Sequence, residues 1–332
     1  MIRREIQEAF NGKRALVTGG CGFVGSALTR ALLDAQADVH VADAMLPGTG
    51  ANPFNLADVG ARIAFTQADM RDDAAMKRLL HDKDFVFNLA GLSSHVGGMR
   101  DPAGDLEVNA LAQLRLLEAC RAVNPGARIV FAGTRQVYGR AARLPVAETA
   151  PVSPVDYNGV SKLAGELYHF LAHRIYGLWT TTLRMTNTYG PRMRARDARQ
   201  TFLGHWLRLL LTGRRIPIFG RGDQLRDFNY VEDVADAFLL CASNPVAKGK
   251  TYNLGAAPIR LTELAELLIA LNGGGSYSLI PFPPERAAIE IGNYAGDYSL
   301  IQKELGWEPS VSLADGLSRS LEFYRANQAH YW

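Results

Sequence analysis

A glycine-rich segment near the start of the chain has the composition and spacing of a phosphate-binding turn. Gly20, Gly22 and Gly25 fit the pattern G-x-G-x-x-G, and Gly19 with the last two fits the wider G-x-x-G-x-x-G. Glycine is needed there because the backbone must turn sharply and approach a pyrophosphate, which then lies at the N-terminus of the following helix. The pattern alone is weak evidence, since glycine-rich turns are common in proteins that bind no nucleotide.

Acidic residues further along the chain strengthen the prediction. Asp43 ends a predicted strand 18 residues beyond Gly25, where a carboxylate accepts hydrogen bonds from an adenine ribose and repels a 2′-phosphate. NAD is therefore predicted in preference to NADP. Asp69, after the next predicted strand, could accept from the adenine amino group or only cap a helix. The other predicted cofactor contacts are Phe23, Val24, Met70, Leu89 and Ala90.

The elements that position these residues alternate regularly through the first half of the chain. Apolar strands separated by amphipathic helices are typical of a parallel sheet covered on both faces, and ligands bind at the carboxyl ends of its strands. The sequence thus predicts an α/β fold with a doubly wound parallel (Rossmann) sheet. The predicted strands are 15–18, 38–42, 62–65, 85–89, 128–131 and 180–184, and the predicted helices are 24–36, 72–81, 105–123 and 159–176.

The alternation ends near residue 185, and the rest is predicted to form a smaller mixed α/β substrate-binding lobe. We divide the chain into an NAD-binding domain, 1–184, and a mainly substrate-binding lobe, 185–332, with segments near 225–255 returning to the first. The predicted elements of the second half are helices 201–212, 262–271 and 313–326, a helix from 232, a turn at 220–223 and a strand near 251–254.

Composition excludes several other classes of protein. The 332 residues are 48% hydrophobic and 21% charged, and 36 Lys and Arg against 33 Asp and Glu leave a net charge of +3, too small to indicate a nucleic-acid partner. Three widely separated cysteines argue against a disulfide framework and against a metal site. The first residues are too charged for a signal peptide, and the longest uncharged stretch, 267–284, contains three prolines and is no membrane span. We expect a soluble, cytoplasmic protein.

Seven segments make the resemblance to a family specific. The chain resembles the extended short-chain dehydrogenase/reductases of the NAD-dependent epimerase/dehydratase family, which act on nucleotide sugars. The resemblance implies a reaction that begins with hydride transfer from a sugar carbon to bound NAD. In the family's order, the segments are TGGCGFVGSAL, NLAGLSS, AGTRQVYG, YNGVSKLAGE, LRMTNTYGPRM, GDQLRDFNYVEDVADA and LGWEPSVSLADGL.

The resemblance also implies catalytic roles. Thr134 takes the position of the residue that hydrogen-bonds the sugar oxygen, although a strand-end threonine also often bonds only to backbone. Lys162 takes the position of the lysine that holds the nicotinamide ribose and lowers the pKa of a nearby phenol; the alternative is an exposed helical lysine.

The family tyrosine, four residues before that lysine, is missing. Asn158 occupies its position, and Tyr157 lies five residues before Lys162, about 140° around a regular helix. Tyr157 is predicted to be catalytic if the first helical turn is irregular, and otherwise to be a packed aromatic. Asn158 cannot act as a base, so the proton would then pass through another group, such as His95, or would not move.

The two residues after Thr134 favour one reaction. Family dehydratases carry Asp-Glu there and decarboxylases carry a nearby Glu, whereas this chain has Arg135 and Gln136. Epimerisation at C4 of an NDP-hexose or NDP-hexuronate, through a 4-keto intermediate, needs no such carboxylate. Arg135 could instead bind a uronate carboxylate. A decarboxylase, dehydratase or dehydrogenase of the same family stays an alternative, as does an NAD-binding sensor or scaffold without turnover.

The remaining predictions concern substrate anchoring and assembly. Asn187, Arg226 and Arg286 resemble residues that contact the substrate diphosphate and ribose, with surface ion pairs as the alternative for the two arginines. A run of arginines is favoured to be a solvated face rather than the nucleotide entrance. A homodimer is implied by the resemblance, although the apolar residues concerned could equally be core. The arginines are Arg192, Arg194, Arg196 and Arg199, and the apolar residues are Leu106, Leu114, Leu117, Leu163, Leu167, Phe170 and Leu171.

Overall fold

A seven-stranded parallel sheet forms the centre of the part of the chain that the computed structural model describes, residues 4–332. Its spatial order is β11-β6-β5-β4-β1-β2-β3, which confirms the predicted doubly wound Rossmann sheet. The strands are β1 Arg14–Thr18, β2 Asp38–Asp43, β3 Ala64–Gln67, β4 Phe85–Asn88, β5 Arg128–Thr134, β6 Trp179–Met185, β7 Asn187–Tyr189, β8 Ile216–Phe219, β9 Leu225–Arg226, β10 Phe228–Tyr230, β11 Thr251–Asn253, β12 Ile259–Arg260 and β13 Tyr277–Ile280.

Helices cover both faces of this sheet. Phe87 of β4 packs against α1 and α9 on one face, while its neighbour Val86 joins the apolar cluster of α3 and α6 on the other. Both faces are buried, which explains why the strands are apolar almost throughout. The helices are α1 Arg4–Phe10, α2 Phe23–Asp34, α3 Asp73–Leu80, α4 His95–Arg100, α5 Pro102–Leu106, α6 Ala112–Val123, α7 Tyr157–Tyr176, α8 Phe202–Leu211, α9 Val231–Ser243, α10 Leu261–Asn272, α11 Pro284–Ala287, α12 Ser299–Leu305 and α13 Leu313–Ala326.

The second half of the chain contributes to the central sheet and also builds a core of its own. Strand β11 pairs with β6, and α9 packs on α2. The separate core lies among α8, α10 and α13, beside three strand pairs: β7 with β10, β8 with β13, and β9 with β12. The domain division at residue 184 stays a prediction.

Two helices differ from the sequence prediction in ways that affect the site. The predicted helix 105–123 begins earlier, at Pro102, and is interrupted by one π-helical segment, Glu107–Leu111, between α5 and α6. Helix α7 begins at Tyr157, two residues before the predicted start, because Asp156 caps it by accepting a hydrogen bond from the Gly159 N–H at 2.6 Å. The first turn of α7 is therefore regular helix.

Among the helices of residues 4–332, none combines the length and the apolar character needed to cross a bilayer.

Candidate active site

A large cavity lies at the carboxyl ends of the central strands. Its walls come from the glycine turn after β1, the end of β2, the segments after β4 and β5, one side of α7, and several segments of the second half. This is the place where parallel α/β sheets bind ligands, because the chain turns away there in both directions and leaves a crevice.

The glycine turn forms one end of the cavity. Gly19 has φ +71, and a Cβ built on it would lie 2.9 Å from the Ala90 nitrogen. A Cβ on Gly25 would collide with the Gly19 carbonyl oxygen. Gly22 precedes α2 without a side-chain cap, which leaves the first N–H groups of that helix free to bind an anion.

Asp43 lies beside this turn with 8% of its surface exposed. Burial raises the pKa of its carboxyl, while hydrogen bonds from the Met45 N–H at 2.9 Å and the Cys21 N–H at 3.0 Å act in the opposite direction. These two bonds orient the carboxylate at the cavity wall. Asp69 also borders the cavity, but its carboxylate pairs with the Arg71 guanidinium at 2.7 Å.

These residues fit a dinucleotide. The glycine turn and the uncapped N-terminus of α2 supply contacts for a pyrophosphate, and the oriented carboxylate of Asp43 supplies contacts for a ribose. The other residues predicted to contact NAD border the same cavity: Phe23, Val24, Met70, Leu89 and Ala90.

Thr134 and Lys162 lie where β5 and α7 meet the cavity. Thr134 ends β5, and its hydroxyl oxygen accepts a hydrogen bond from the Gln136 N–H at 3.2 Å. The Lys162 ammonium donates to the Ala132 carbonyl at 3.3 Å and lies 5.2 Å from the centre of the Phe131 ring. Burial lowers the pKa of Lys162 to about 8, so its charge is only weakly compensated by the protein.

Asn158, at the position of the family tyrosine, borders the cavity and is buried. Its amide donates to the Leu92 carbonyl at 2.7 Å and to Asp105 Oδ2 at 2.8 Å. Tyr157 points elsewhere: it is 50% exposed and is not part of the cavity wall. The irregular first turn that a catalytic Tyr157 requires is absent, so the structure does not bring this residue to Thr134 and Lys162.

His95 is a titratable side chain of the cavity wall that contacts Gln136. Its Nδ1 lies 2.9 Å from Asp156 Oδ2, and its Nε2 lies 3.2 Å from the Gln136 amide nitrogen. Burial acts to raise the pKa of Asp156, but the contact with His95 and the Gly159 N–H hold it below its ordinary value. Asp156 therefore caps α7 and orients the imidazole.

The side chains of Arg135 and Asn187 are neighbours in the cavity wall and are joined by a hydrogen bond. Arg135 Nη2 donates to Asn187 Oδ1 at 3.1 Å, and the Asn187 amide donates to the Asp227 carbonyl at 2.9 Å. The guanidinium of Arg135 also lies 5.0 Å from the centre of the Tyr294 ring. Asn187 is thus held from both sides.

Arg226 and Arg286 both border the cavity but differ in their partners. Arg226 is 6% exposed and pairs with Glu290 at 2.5 Å, so it does not form the surface ion pair that was the alternative for this arginine. Arg286 lies 5.6 Å from the centre of the Phe219 ring and donates to a backbone carbonyl at 3.4 Å.

The prediction that the arginine run is a solvated face is wrong for two of its members. The side chains of Arg192 and Arg194 are only 25% and 12% exposed, because they pair with Asp58 and Asp197. Arg194 also borders the cavity, as does Arg199, whose side chain is 62% exposed.

Polar residues of α5 and of the π segment support this site and were not predicted from the sequence. Asn109 binds both the N–H and the carbonyl of Leu92, at 3.0 and 2.9 Å, and Asp105 receives the Asn158 amide. Together they fix the segment after β4. The spacing of Asp101, Asp105 and Asn109, four residues apart, places polar groups on one side of a helix and is the signal that could have found them.

Comparison with known proteins gives consistent matches over most of the chain. Residues 15–255 match the NAD dependent epimerase/dehydratase family. The chain is 32% identical to a UDP-glucose 4-epimerase of Mycolicibacterium smegmatis over 94% of its own length and 98% of the relative's. A structure of epimerase Mth375 from Methanothermobacter thermautotrophicus superposes with a TM-score of 0.90 at 27% identity, covering 98% of this chain and 95% of that one. A dTDP-glucose 4,6-dehydratase of Streptomyces venezuelae, DesIV with NAD bound, gives a TM-score of 0.87 at 28% identity over 95% and 98% of the two chains.

Proposed function

The chain belongs to the NAD-dependent epimerase/dehydratase family, whose cofactor is NAD, and within that family we propose that it is a nucleotide-sugar 4-epimerase. The observation that supports this reaction is the distribution of carboxylates around the cavity. Asp43 and Asp69 lie at the glycine-turn end, and Glu290 is paired with Arg226. They are the only acidic residues among the described residues that border the cavity.

This distribution bears on each of the alternatives. A 4,6-dehydratase must remove a proton from C5 and protonate a leaving hydroxyl, which requires an acid and a base beside the sugar. Arg135 and Gln136 stand where such carboxylates are expected, and neither can serve. Oxidation and re-reduction at C4 need only one group that accepts and returns the proton of the C4 hydroxyl.

We assign that proton to His95. Its Nδ1 faces the Asp156 carboxylate and is therefore assigned the proton, so Nε2 accepts a hydrogen bond from the Gln136 amide. A substrate hydroxyl must displace this amide before Nε2 can take its proton. Thr134 hydrogen-bonds the sugar oxygen, Nε2 takes the hydroxyl proton as the C4–H bond breaks, and the same proton returns to oxygen in the second half of the reaction. Bound NAD would supply the hydride acceptor and donor for C4, and return of the hydride to the opposite face of the ketone would invert that carbon.

Lys162 has an electrostatic role in this scheme. Its ammonium lies between the segment after β4 and β5, and would hold the nicotinamide ribose. A positive charge there also stabilises the negative charge that develops on the sugar oxygen as its proton leaves.

A deuterium experiment tests the proposal. Purified protein and NAD are incubated in deuterated buffer with UDP-, dTDP-, GDP- and CDP-hexoses and hexuronates, and proton NMR follows the sugar signals. A C4 epimer without deuterium at C4 is the expected result. A keto-deoxy sugar or release of carbon dioxide would overturn 4-epimerisation in favour of dehydration or decarboxylation. Saturable NAD binding without any turnover would favour a sensor or scaffold.

We also propose that the enzyme works in the cytoplasm as a homodimer. One side of α7 carries exposed apolar side chains four or seven residues apart, and Leu106 and Leu111 are exposed next to it. Leu117, by contrast, is 1% exposed and belongs to the core. A second copy of the same face would bury the exposed apolar residues on this side of α7, Val160, Leu167, Leu171 and Ile175, together with the neighbouring Phe170.

A further inference from the structure

The arginines that border the cavity fall into two groups. Five of them line its wall, and three are ion-paired: Arg194 and Arg199 with Asp197, and Arg226 with Glu290. Arg135 and Arg286 form no ion pair with any residue in the range 4–332. Two guanidinium groups without acidic partners in one cavity suit a ligand with two separate anionic groups.

Arg135 is the more unusual of the two. Its Nη1 is buried and has no hydrogen-bond partner among the described residues, while Nη2 has the neutral partner Asn187. Burial lowers the pKa of Arg135 to about 10, and the charge of Arg226 acts in the same direction. Asp227 and Glu290 act against this shift, but neither lies close enough to form an ion pair with Arg135. Leaving a buried cation unpaired is costly, and proteins normally supply an acid beside it.

The position of Arg135 indicates which part of a substrate it meets. It follows Thr134 directly, and Thr134 is the residue assigned to the reacting sugar oxygen. Arg286 contacts Phe219 and the carbonyl of Ala198, on segments of the second half of the chain. A substrate whose reacting oxygen meets Thr134 would therefore place its sugar ring next to Arg135, and its diphosphate would suit Arg286.

We infer that the sugar carries a carboxylate bound by Arg135, so that the substrate is a nucleoside-diphosphate hexuronate rather than a neutral hexose. This inference rests on the proposed function for the placement of the sugar. A planar carboxylate matches the fork of a guanidinium and would give Nη1 an acceptor and the buried charge a counter-ion.

The same contact bears on the fate of the intermediate. A 4-keto hexuronate is a β-keto acid, and it loses carbon dioxide when the electrons of the C5–C6 bond move towards the ketone. An ion pair with Arg135 stabilises the carboxylate, which must lose its charge as carbon dioxide forms. Arg135 therefore favours return of the hydride over decarboxylation.

Binding to the NAD-loaded protein tests the inference by calorimetry. UDP, dTDP, GDP and CDP are compared first to identify the base, and the matching hexose and hexuronate follow. We expect the hexuronate to bind at least about tenfold more tightly, and Arg135→Gln to remove that preference by weakening hexuronate binding much more than hexose binding. Arg325→Gln, an exposed arginine bonded to Asn272, is the matched control and should keep the preference.

Several outcomes would overturn the inference. The wild type could bind the two sugars with equal affinity, or bind no hexuronate at all. The preference for the hexuronate could survive in folded Arg135→Gln. Arg135→Gln could also lose affinity equally for both sugars, which would place the diphosphate on Arg135. If Arg135→Gln does not fold, Arg135→Lys decides: it keeps the charge but loses the fork, so only hexuronate affinity should fall.

Turnover separates this inference from the proposed reaction. If a hexuronate binds tightly and is converted with release of carbon dioxide, the carboxylate site at Arg135 is supported and the proposed 4-epimerase reaction is overturned. Epimerisation of neutral hexoses alone, unaffected by Arg135→Gln, would keep the epimerase and overturn the carboxylate site.

Discussion

The amide of Asn158 lies 2.8 Å from Asp105 Oδ2, and both side chains are buried, at 2% and 0% exposure. The bond connects α7 to α5 beside the cavity. It fills the position of the family phenol with a group that has no proton to exchange near neutral pH. Asn158 is therefore a structural support of the site, and the proton chemistry must be carried by another residue.

Asn158→Ala is expected to lower the free energy of unfolding by about 1–3 kcal/mol, because it leaves the buried Asp105 carboxylate without its donor. Asp105 Oδ1 already lacks a hydrogen-bond partner among the described residues, so little can compensate. Urea unfolding at pH 7 measures the change. Unchanged stability would show that the bond contributes nothing.

Asn158→Asp provides the matched variant. It places two carboxylates side by side, and each raises the pKa of the other in the folded state. A raised folded pKa means that the folded protein binds protons more readily, so the variant should lose most stability at pH 7 and regain part of it as the pH falls. Asn158→Ala removes a donor from Asp105 but adds no second carboxylate, so it should show a smaller recovery.

His95→Gln is expected to lower kcat by about 100- to 10,000-fold, because the proposed proton acceptor is lost while the side chain keeps a polar end. Asp156→Asn, which disturbs the orientation of the imidazole, should have a smaller effect. Tyr157→Phe is the control: the exposed phenol lies off the cavity wall, and kcat should stay near the wild-type value. Steady-state kinetics with the substrate from the NMR panel measures all three.

The reverse result would restore the alternative of a catalytic Tyr157. A large loss in Tyr157→Phe, with His95→Gln close to wild type, would show that the first turn of α7 rearranges when ligand binds. Rescue of His95→Gln by added imidazole would support His95 independently, because a purely structural role would not respond to an external base.

Lys162→Met is expected to abolish turnover and, at pH 7, to raise the free energy of unfolding by about 1–3 kcal/mol. The folded pKa of Lys162, about 8, lies below the ordinary lysine value, so folding at pH 7 buries a charge at a cost. That cost falls as the pH rises from about 8 towards the unfolded pKa, because the folded lysine is then neutral. The stability gap between variant and wild type should therefore narrow by pH 10, as measured by urea unfolding at both pH values.

The fold was predictable because its signals are local. Alternation of apolar strands with amphipathic helices, and the glycine turn followed by Asp43, each arise within a short window of sequence. The arrangement around Asn158 was not predictable, because Asp105 lies 53 positions away and only the fold brings the two together. The same holds for His95 and Asp156, and for the pairing of Arg226 with Glu290.

The missed elements have a similar explanation. Strands such as β7, β9, β10 and β12 contain two or three residues, too few for a periodic pattern. The start of α7 depends on a single capping contact from Asp156, and that contact decided where Tyr157 points. Because α7 begins two residues earlier than predicted, Tyr157 lies off the cavity wall, and His95 replaces it in the proposed catalytic set.

Asp43→Asn is expected to weaken NAD binding about tenfold and to reduce the preference for NAD over NADP, because the amide neither attracts the ribose hydroxyls as strongly nor repels a 2′-phosphate. Calorimetric titration with both dinucleotides measures the two effects. Asp69→Asn is the comparison, since Asp69 is already paired with Arg71 and its loss should matter less. If the ratio of the affinities for NAD and NADP is unchanged in Asp43→Asn, the role assigned to Asp43 is contradicted.

The exposed side of α7 carries two leucines at the proposed dimer interface. Leu167 and Leu171, 49% and 43% exposed, are expected to lie at the centre of a dimer interface. Leu167→Arg combined with Leu171→Arg should convert a dimer, with twice the 36.3 kDa mass of the chain, into a monomer, because four cations would meet across a symmetric interface. Light scattering after gel filtration measures the mass. Leu279→Arg, at a 51% exposed leucine of β13, is the control and should stay dimeric. A monomeric wild type, or a double variant that remains dimeric, would place the interface elsewhere or exclude it.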